Sequence, residues 1–157
     1  MFLQNAIADT LNNAEWTFAL AECVHIGGFA VGIGSIALVD LRMLNLGMQR
    51  ETTARILRYT EPWTLAALVF VVFSGLMLFL AQPAIYLQRT PYLVNGRFIF
   101  LLKMSLLVAA LLYNFTIHRK VATMKAPSPA LSKGVAIVSL LLWVSIVFGG
   151  VFIGFLQ

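Results

Sequence analysis

Charge is what this sequence has least of. Asp, Glu, Lys and Arg make up 11% of its 157 residues, against about 25% in a soluble domain. With 61% hydrophobic residues beside so few charges, a water-soluble domain is excluded. Cysteine occurs once, at Cys23, so the chain has no disulfide framework of its own and no CxxCH motif to attach a c-type haem. The six methionines are scattered and form no MxxM cluster, which argues against a copper(I) relay. Basic residues are missing before Arg42 and after Lys133. The segment preceding the first apolar stretch contains Asp9 and lacks a basic start, so it does not read as a standard signal peptide.

What is present is four apolar stretches, each close to the roughly 20 residues a membrane span needs. They cover about 15–39, 62–80, 97–118 and 134–155, leaving no room for a soluble domain. The expected fold is all-α: a polytopic membrane protein, residues 1–157 forming one four-transmembrane-helix bundle. Residues 1–14 read as a short prefix at the interface. Glu61-Pro62-Trp63 reads as the start of the second span, because proline suits a first helical turn and tryptophan suits the interface. Leu46, Ile56 and Leu57 suggest a helical extension or surface helix in the connector before it. Gln82 to Asn95, with Pro83 and Pro91, reads as irregular, and Lys120 to Lys133 as a loop broken by Pro127 and Pro129.

Arg42, Arg50, Arg55 and Arg58 follow the first span; Arg119, Lys120, Lys125 and Lys133 follow the third. Between the second and third lie only Arg89 and Arg97. The positive-inside bias therefore puts the first and third connectors in the cytoplasm and both termini outside. The net charge of +5 is topology information, with no nucleic-acid partner implied.

An ionisable side chain in the bilayer core costs about 2.5–3.5 kcal/mol on insertion scales, which makes each one a site hypothesis. Glu15, Glu22 and His25 lie in the first span and Lys103 in the third. At about 1.5 Å per residue, Glu22 sits roughly 10 Å, His25 roughly 15 Å and Lys103 roughly 9 Å below the outer surface. These three can share the outer half of the bundle. His118 lies roughly 30 Å along the third span and cannot pair with His25 in one chain. His118-Arg119-Lys120 reads most simply as an interfacial anchor, and Asp40 with Arg42 as a solvated helix end. Asn114 reads as a hydrogen-bonding group between spans. Cys23 falls on a different face from His25.

Glu22 and Lys103 read either as a mutually neutralising pair or as proton-handling groups, with Lys103 alternatively binding a carboxylate such as a haem propionate. Gly28 and Gly32 continue the His25 face inward. They suit close helix packing, since small residues four apart let spans approach. They also suit a flat slot beside His25 for a porphyrin or quinone ring. Neutral imidazole is a usual axial ligand of haem iron.

His25, the small-residue run Gly27 to Gly34, and Asp40-Leu41-Arg42-Met43-Leu44 resemble the first span of the bacterial family called domain of unknown function 6644. Phe73 to Phe79 resembles its second span, and Phe98 to Asn114, with Lys103 and a late asparagine, its third. The resemblance covers roughly residues 20 to 120. That family is distantly similar to the copper-resistance protein D group and to HemJ-type protoporphyrinogen oxidase. The latter resemblance implies a haem-b-associated bundle, with the histidine at His25 and the lysine at Lys103. The chain departs from that oxidase in having no tryptophan after His25, and Val39-Asp40 where the oxidase has a proline-containing turn.

The leading expectation is a protein of the bacterial inner membrane holding haem b in its outer half. His25 would be the axial ligand, with Gly28, Gly32, Lys103 and Met104 around the cofactor. The second axial position would fall to Met104, Lys103, a bound ligand or His25 of another protomer. Electrons would pass between the quinone pool and a periplasmic or membrane redox partner, in a homo- or hetero-oligomer. The alternatives are a non-catalytic accessory subunit of a larger membrane complex and a protoporphyrinogen-oxidase-like enzyme.

Overall fold

The computed structural model describes Ala6, Asp9, residues 16–81 and residues 96–155, with Gly96 and residues 153–155 described by backbone alone. Four long helices account for most of these residues. Helix α1 is Thr17–Met43 and α2 is Thr53–Ala81. Helix α3 runs over Gly96–Tyr113, continues through a π-helical turn at Asn114–His118 and ends with Arg119–Ala122. Helix α4 is Pro129–Phe155. All four are long and apolar enough to cross a membrane, and no strand occurs among the described residues. The protein is an all-helical, multi-pass membrane protein in contact with the lipid bilayer. Glu15 and the segment 82–95, including Pro83, Pro91 and Arg89, lie outside the described residues.

The helices are longer than hydropathy alone suggests. Span two begins at Thr53 and carries Pro62 inside it, where the sequence pointed to a start at Glu61-Pro62-Trp63. Proline removes one backbone donor there; beside it Thr60 Oγ1 donates to the Ile56 carbonyl at 3.1 Å and Thr64 Oγ1 to that of Thr60 at 3.1 Å. Helix α4 likewise starts at Pro129 instead of 134, with proline in its first turn. The connector after α1 turns through Asn45 and Met48, both with positive φ (62° and 48°). Arg42 pins that connector, donating from Nε to the Glu51 carbonyl and from Nη1 to Asn45 Oδ1.

Neighbouring helices pack as two pairs, α1 with α2 and α3 with α4, joined by α1 against α4. In the first pair, Gly28 and Gly32 face α2. A Cβ on Gly28 would meet Val71 Cγ2 at 2.8 Å, and one on Gly32 would meet Ala67 Cβ at 3.4 Å. These glycines serve close helix approach, and the flat slot expected beside His25 is not formed by them. Each helix buries a stripe at three- and four-residue spacing, such as Gly32, Ile36, Val39, Asp40 and Met43 on α1. The remaining faces present residues such as Val69, Phe73, Leu112 and Phe148 outward, as a lipid-facing surface requires.

The two ends of the bundle differ. At the inner end, where the charge bias places the cytoplasm, Val39, Met43, Ile56, Val121, Ala122, Val135 and Ala136 form one core drawn from all four helices. There α2 also meets the last turn of α3, through an ion pair of 2.7 Å between Glu61 and Arg119. A second core of Ile36, Ala110, Trp143 and Ile146 closes the middle. Beyond it, toward the outer end, a large cavity opens between the helix pairs.

Candidate functional site in the outer half

The cavity has a volume of about 700 Å³. Its lining includes Phe18, Glu22, His25 and Phe29 from α1, Leu78 from α2, Lys103 from α3 and Gly150 from α4. The depth argument thus holds in space: Glu22, His25 and Lys103 border one chamber. Gly28, Gly32 and Met104 do not line it, and Met104 is exposed on the outer surface of α3. Gly34 and Gly150 are the glycines that do.

His25 is held on three sides. Its Nδ1 lies 3.0 Å from Ser74 Oγ, and its ring meets Phe29 edge-on with centroids 5.0 Å apart. Gly75 lets the ring sit against α2, because a Cβ there would fall 2.9 Å from His25 Cε1. The tautomer follows from the serine. Ser74 has one hydroxyl hydrogen, and it goes to the Phe70 carbonyl 2.6 Å away. With its hydrogen on that carbonyl, Ser74 Oγ accepts from His25 Nδ1, the assignment that leaves the lone pair on Nε2. That nitrogen makes no hydrogen bond among the described residues. A histidine fixed in this way, with one ring N–H tied to a neighbour and the other nitrogen unprotonated, has the form of a metal ligand or a base.

Lys103 extends across from α3, with Nζ 5.6 Å from the centre of the Phe29 ring, a cation–π distance. The stem rests against α4, where Cβ atoms on Gly149 and Gly150 would approach Lys103 Cβ at 3.5 Å and Nζ at 3.3 Å. Glu22 is exposed on the rim, and among the described residues no ion pair joins it to Lys103. Of the two readings, the neutralising pair is not formed in this structure. Lys103 Nζ instead has the Phe29 ring as its aromatic neighbour. Cys23 is exposed, and no three His, Cys, Asp or Glu side chains among the described residues converge as a metal site. A haem needs less: one imidazole from the protein suffices to hold its iron.

A second polar cluster escaped the sequence reading. Asp40 and His118, taken there for a solvated helix end and an interfacial anchor, are 0% and 1% exposed. Asp40 Oδ1 lies 2.7 Å from His118 Nε2, and Asp40 Oδ2 accepts from Ser139 Oγ at 2.8 Å. Carboxylate, imidazole and hydroxyl thus tie α1, α3 and α4 together. Ser139 and His118 both bind the aspartate, on separate oxygens, so the three do not form a nucleophile–base–acid chain. The π turn contributes the alignment. Residues four apart drift by about 40° per step on an α-helix, and the wider turn absorbs that drift to keep Ala110, Asn114 and His118 facing inward. Asn114 is buried, yet its Nδ2 finds no hydrogen-bond partner among the described residues, contrary to the expected bond between spans.

With this geometry in place, comparison with known families decides the relationship. A model of the family of unknown function DUF6644 matches residues 3–156. The chain belongs to that family. The match extends well past the residues 20 to 120 that carried the resemblance and takes in span four. No curated protein and no solved structure matches the chain. The wider resemblance to the copper-resistance and HemJ-type groups has no counterpart in these matches.

Proposed function

We propose that this member of DUF6644 holds haem b in the outer cavity and carries electrons within the membrane, with His25 as axial ligand through Nε2. The observation that carries this reading is the Ser74-fixed tautomer of His25 beside a chamber of about 700 Å³. Cofactor pockets run about 300–1,000 Å³ and are mostly apolar with a few placed polar groups, which describes this one. Lys103 suits a propionate, while Phe29 and Ile33 offer apolar contact to a macrocycle. Bound there, the haem would supply a one-electron couple. The chain's own residues fix the imidazole, close the cavity floor with the middle core and present one lysine side chain.

The cavity lies in the half that the charge bias assigns to the outside. This suits a lipid-soluble donor such as quinone and an acceptor on the outer side, in the bacterial inner membrane to which we assign the protein. Met104 is not in the lining and would not hold the cofactor, whereas Lys103 would serve its carboxylates.

A reduced-minus-oxidised absorption spectrum of the detergent-purified protein tests the reading. A visible α-band is expected. A protein that stays colourless after haem reconstitution would overturn it and favour an accessory-subunit role. A coloured protein that also complements a haem-biosynthesis defect would favour the protoporphyrinogen-oxidase-like alternative.

A further inference from the structure

The inner cluster holds more buried polarity than a structural tie needs. Asp40 accepts from Ser139 on Oδ2, leaving Oδ1 for His118. Serines elsewhere in the bundle, Ser74, Ser105 and Ser145, turn their hydroxyls back onto their own helices. Ser139 instead directs its hydrogen to the carboxylate. A lone carboxylate in an apolar core is costly, so the Asp40–His118 unit is best accommodated when it carries one extra proton and is neutral overall.

The groups facing this unit do not supply that positive charge otherwise. Helix α2 offers Glu61, already paired with Arg119 of α3. Helix α3 adds Tyr113, whose hydroxyl donates to the Val135 carbonyl. Helix α4 faces the pair with Ser139, and Arg42 of α1 is engaged by the connector.

The far side of His118 points to how a proton would arrive. Its Nδ1 and Asn114 Nδ2 are both buried without a hydrogen-bond partner among the described residues. Both residues line one small cavity of about 10 Å³, which also touches Thr60, Glu61, Thr64 and Arg119. That is roughly the space one water requires, in a setting with the two or more polar partners it needs. Toward the outer cavity, by contrast, the way is closed by Ile36, Ala110, Trp143 and Ile146.

We propose that Asp40 and His118 form a proton-binding site at the inner end of the bundle, exchanging with the cytoplasmic side through one water held by His118 and Asn114. In the release step the His118 Nδ1–H bond breaks and its proton passes to the water. The water gives one of its own protons to the Glu61 carboxylate, so imidazolium and carboxylate become imidazole and carboxylic acid and the water is unchanged. The Glu61–Arg119 ion pair becomes a hydrogen bond between a neutral acid and a guanidinium that keeps its charge. Loading is the reverse. The site is independent of the outer cavity and of what that cavity binds.

Nitrogen-15 NMR of the histidine rings in the full-length protein tests this, with His25 signals identified by their loss in His25→Gln. The expected result is a His118 ring that passes from the doubly to the singly protonated form as the pH is raised. Asp40→Asn should leave the ring neutral at the pH where the wild type is charged. Asn114→Leu, which fills the small cavity, should slow exchange of the Nδ1 proton with water at least about tenfold. A His118 ring that stays neutral in one tautomer from about pH 5 to about pH 9 would overturn the proposal. So would a charged ring whose Nδ1 proton exchanges equally fast in Asn114→Leu, because the water route would then be wrong. Should Asp40→Asn fail to fold, the wild-type titration and the Asn114→Leu exchange rate still decide the matter.

Discussion

Asp40 Oδ1 and His118 Nε2 lie 2.7 Å apart, although 78 residues separate them in the chain. Their bond closes the inner end of a bundle whose outer end stands open. The same four helices thereby hold a tight polar junction at one end and a ligand-sized chamber at the other.

Removing one partner of this junction should be expensive. Asp40→Ala leaves His118 Nε2 and Ser139 Oγ buried without their acceptor, and about 3–5 kcal/mol of stability should be lost. Ser139→Ala removes one neutral donor and should cost about 0.5–1.5 kcal/mol. Thermal or denaturant unfolding in detergent, with an Asp40/His118 double-mutant cycle, measures both the loss and the coupling.

Ser74 fixes the His25 tautomer without lining the cavity. Ser74→Ala should preserve the fold and weaken haem retention about 10- to 100-fold, the usual cost of losing a partner that orients a ligand. Haem titration into the apoprotein gives the ratio.

Gly75 and Gly28 both sit where helices touch, but in front of different things. Gly75→Ala presses on the His25 ring at 2.9 Å and should shift the haem spectrum or lower haem content. Gly28→Ala presses on Val71 Cγ2 at 2.8 Å and should cost about 1–3 kcal/mol of stability through overpacking. Gly27→Ala meets open space and serves as the control. Spectra and melting curves of the three variants separate ligand displacement from helix separation.

Lys103 reaches the cavity with no carboxylate partner among the described residues. Lys103→Met keeps a comparable apolar stem against Gly149 and should leave the fold intact. Affinity for haem should fall, and the fall should shrink for a haem whose propionates are esterified. Equal losses for both haems would remove Lys103 from any role in binding the carboxylate.

The spans were legible because hydropathy over twenty residues records the bilayer directly, and the outer site was legible because depth can be counted from span ends. His25, Glu22 and Lys103 came together as that counting implied. Their finer relations did not, since depth fixes a level and says nothing of azimuth. Gly28 and Gly32 turned to α2, and Glu22 stayed at the rim. Asp40 and His118 were misread because charges at the end of an apolar run look solvated. In the structure α1 continues to Met43 and α2 begins at Thr53, and this added helix buries the level at which both residues lie. The signal was present: an acid at the inner end of span one and a histidine at the inner end of span three share a depth, as Glu22 and Lys103 do at the other end.

The two histidines give the most direct test, because His25 and Asp40 lie about 22 Å apart along α1 and only one histidine borders the cavity. Haem content per folded protein should be measured for the wild type, His25→Ala and His118→Gln together. We expect haem in the wild type, its loss in His25→Ala and its retention in the folded fraction of His118→Gln. A wild type that takes up no haem, or a His25→Ala protein that keeps it, would contradict the assignment of the outer cavity.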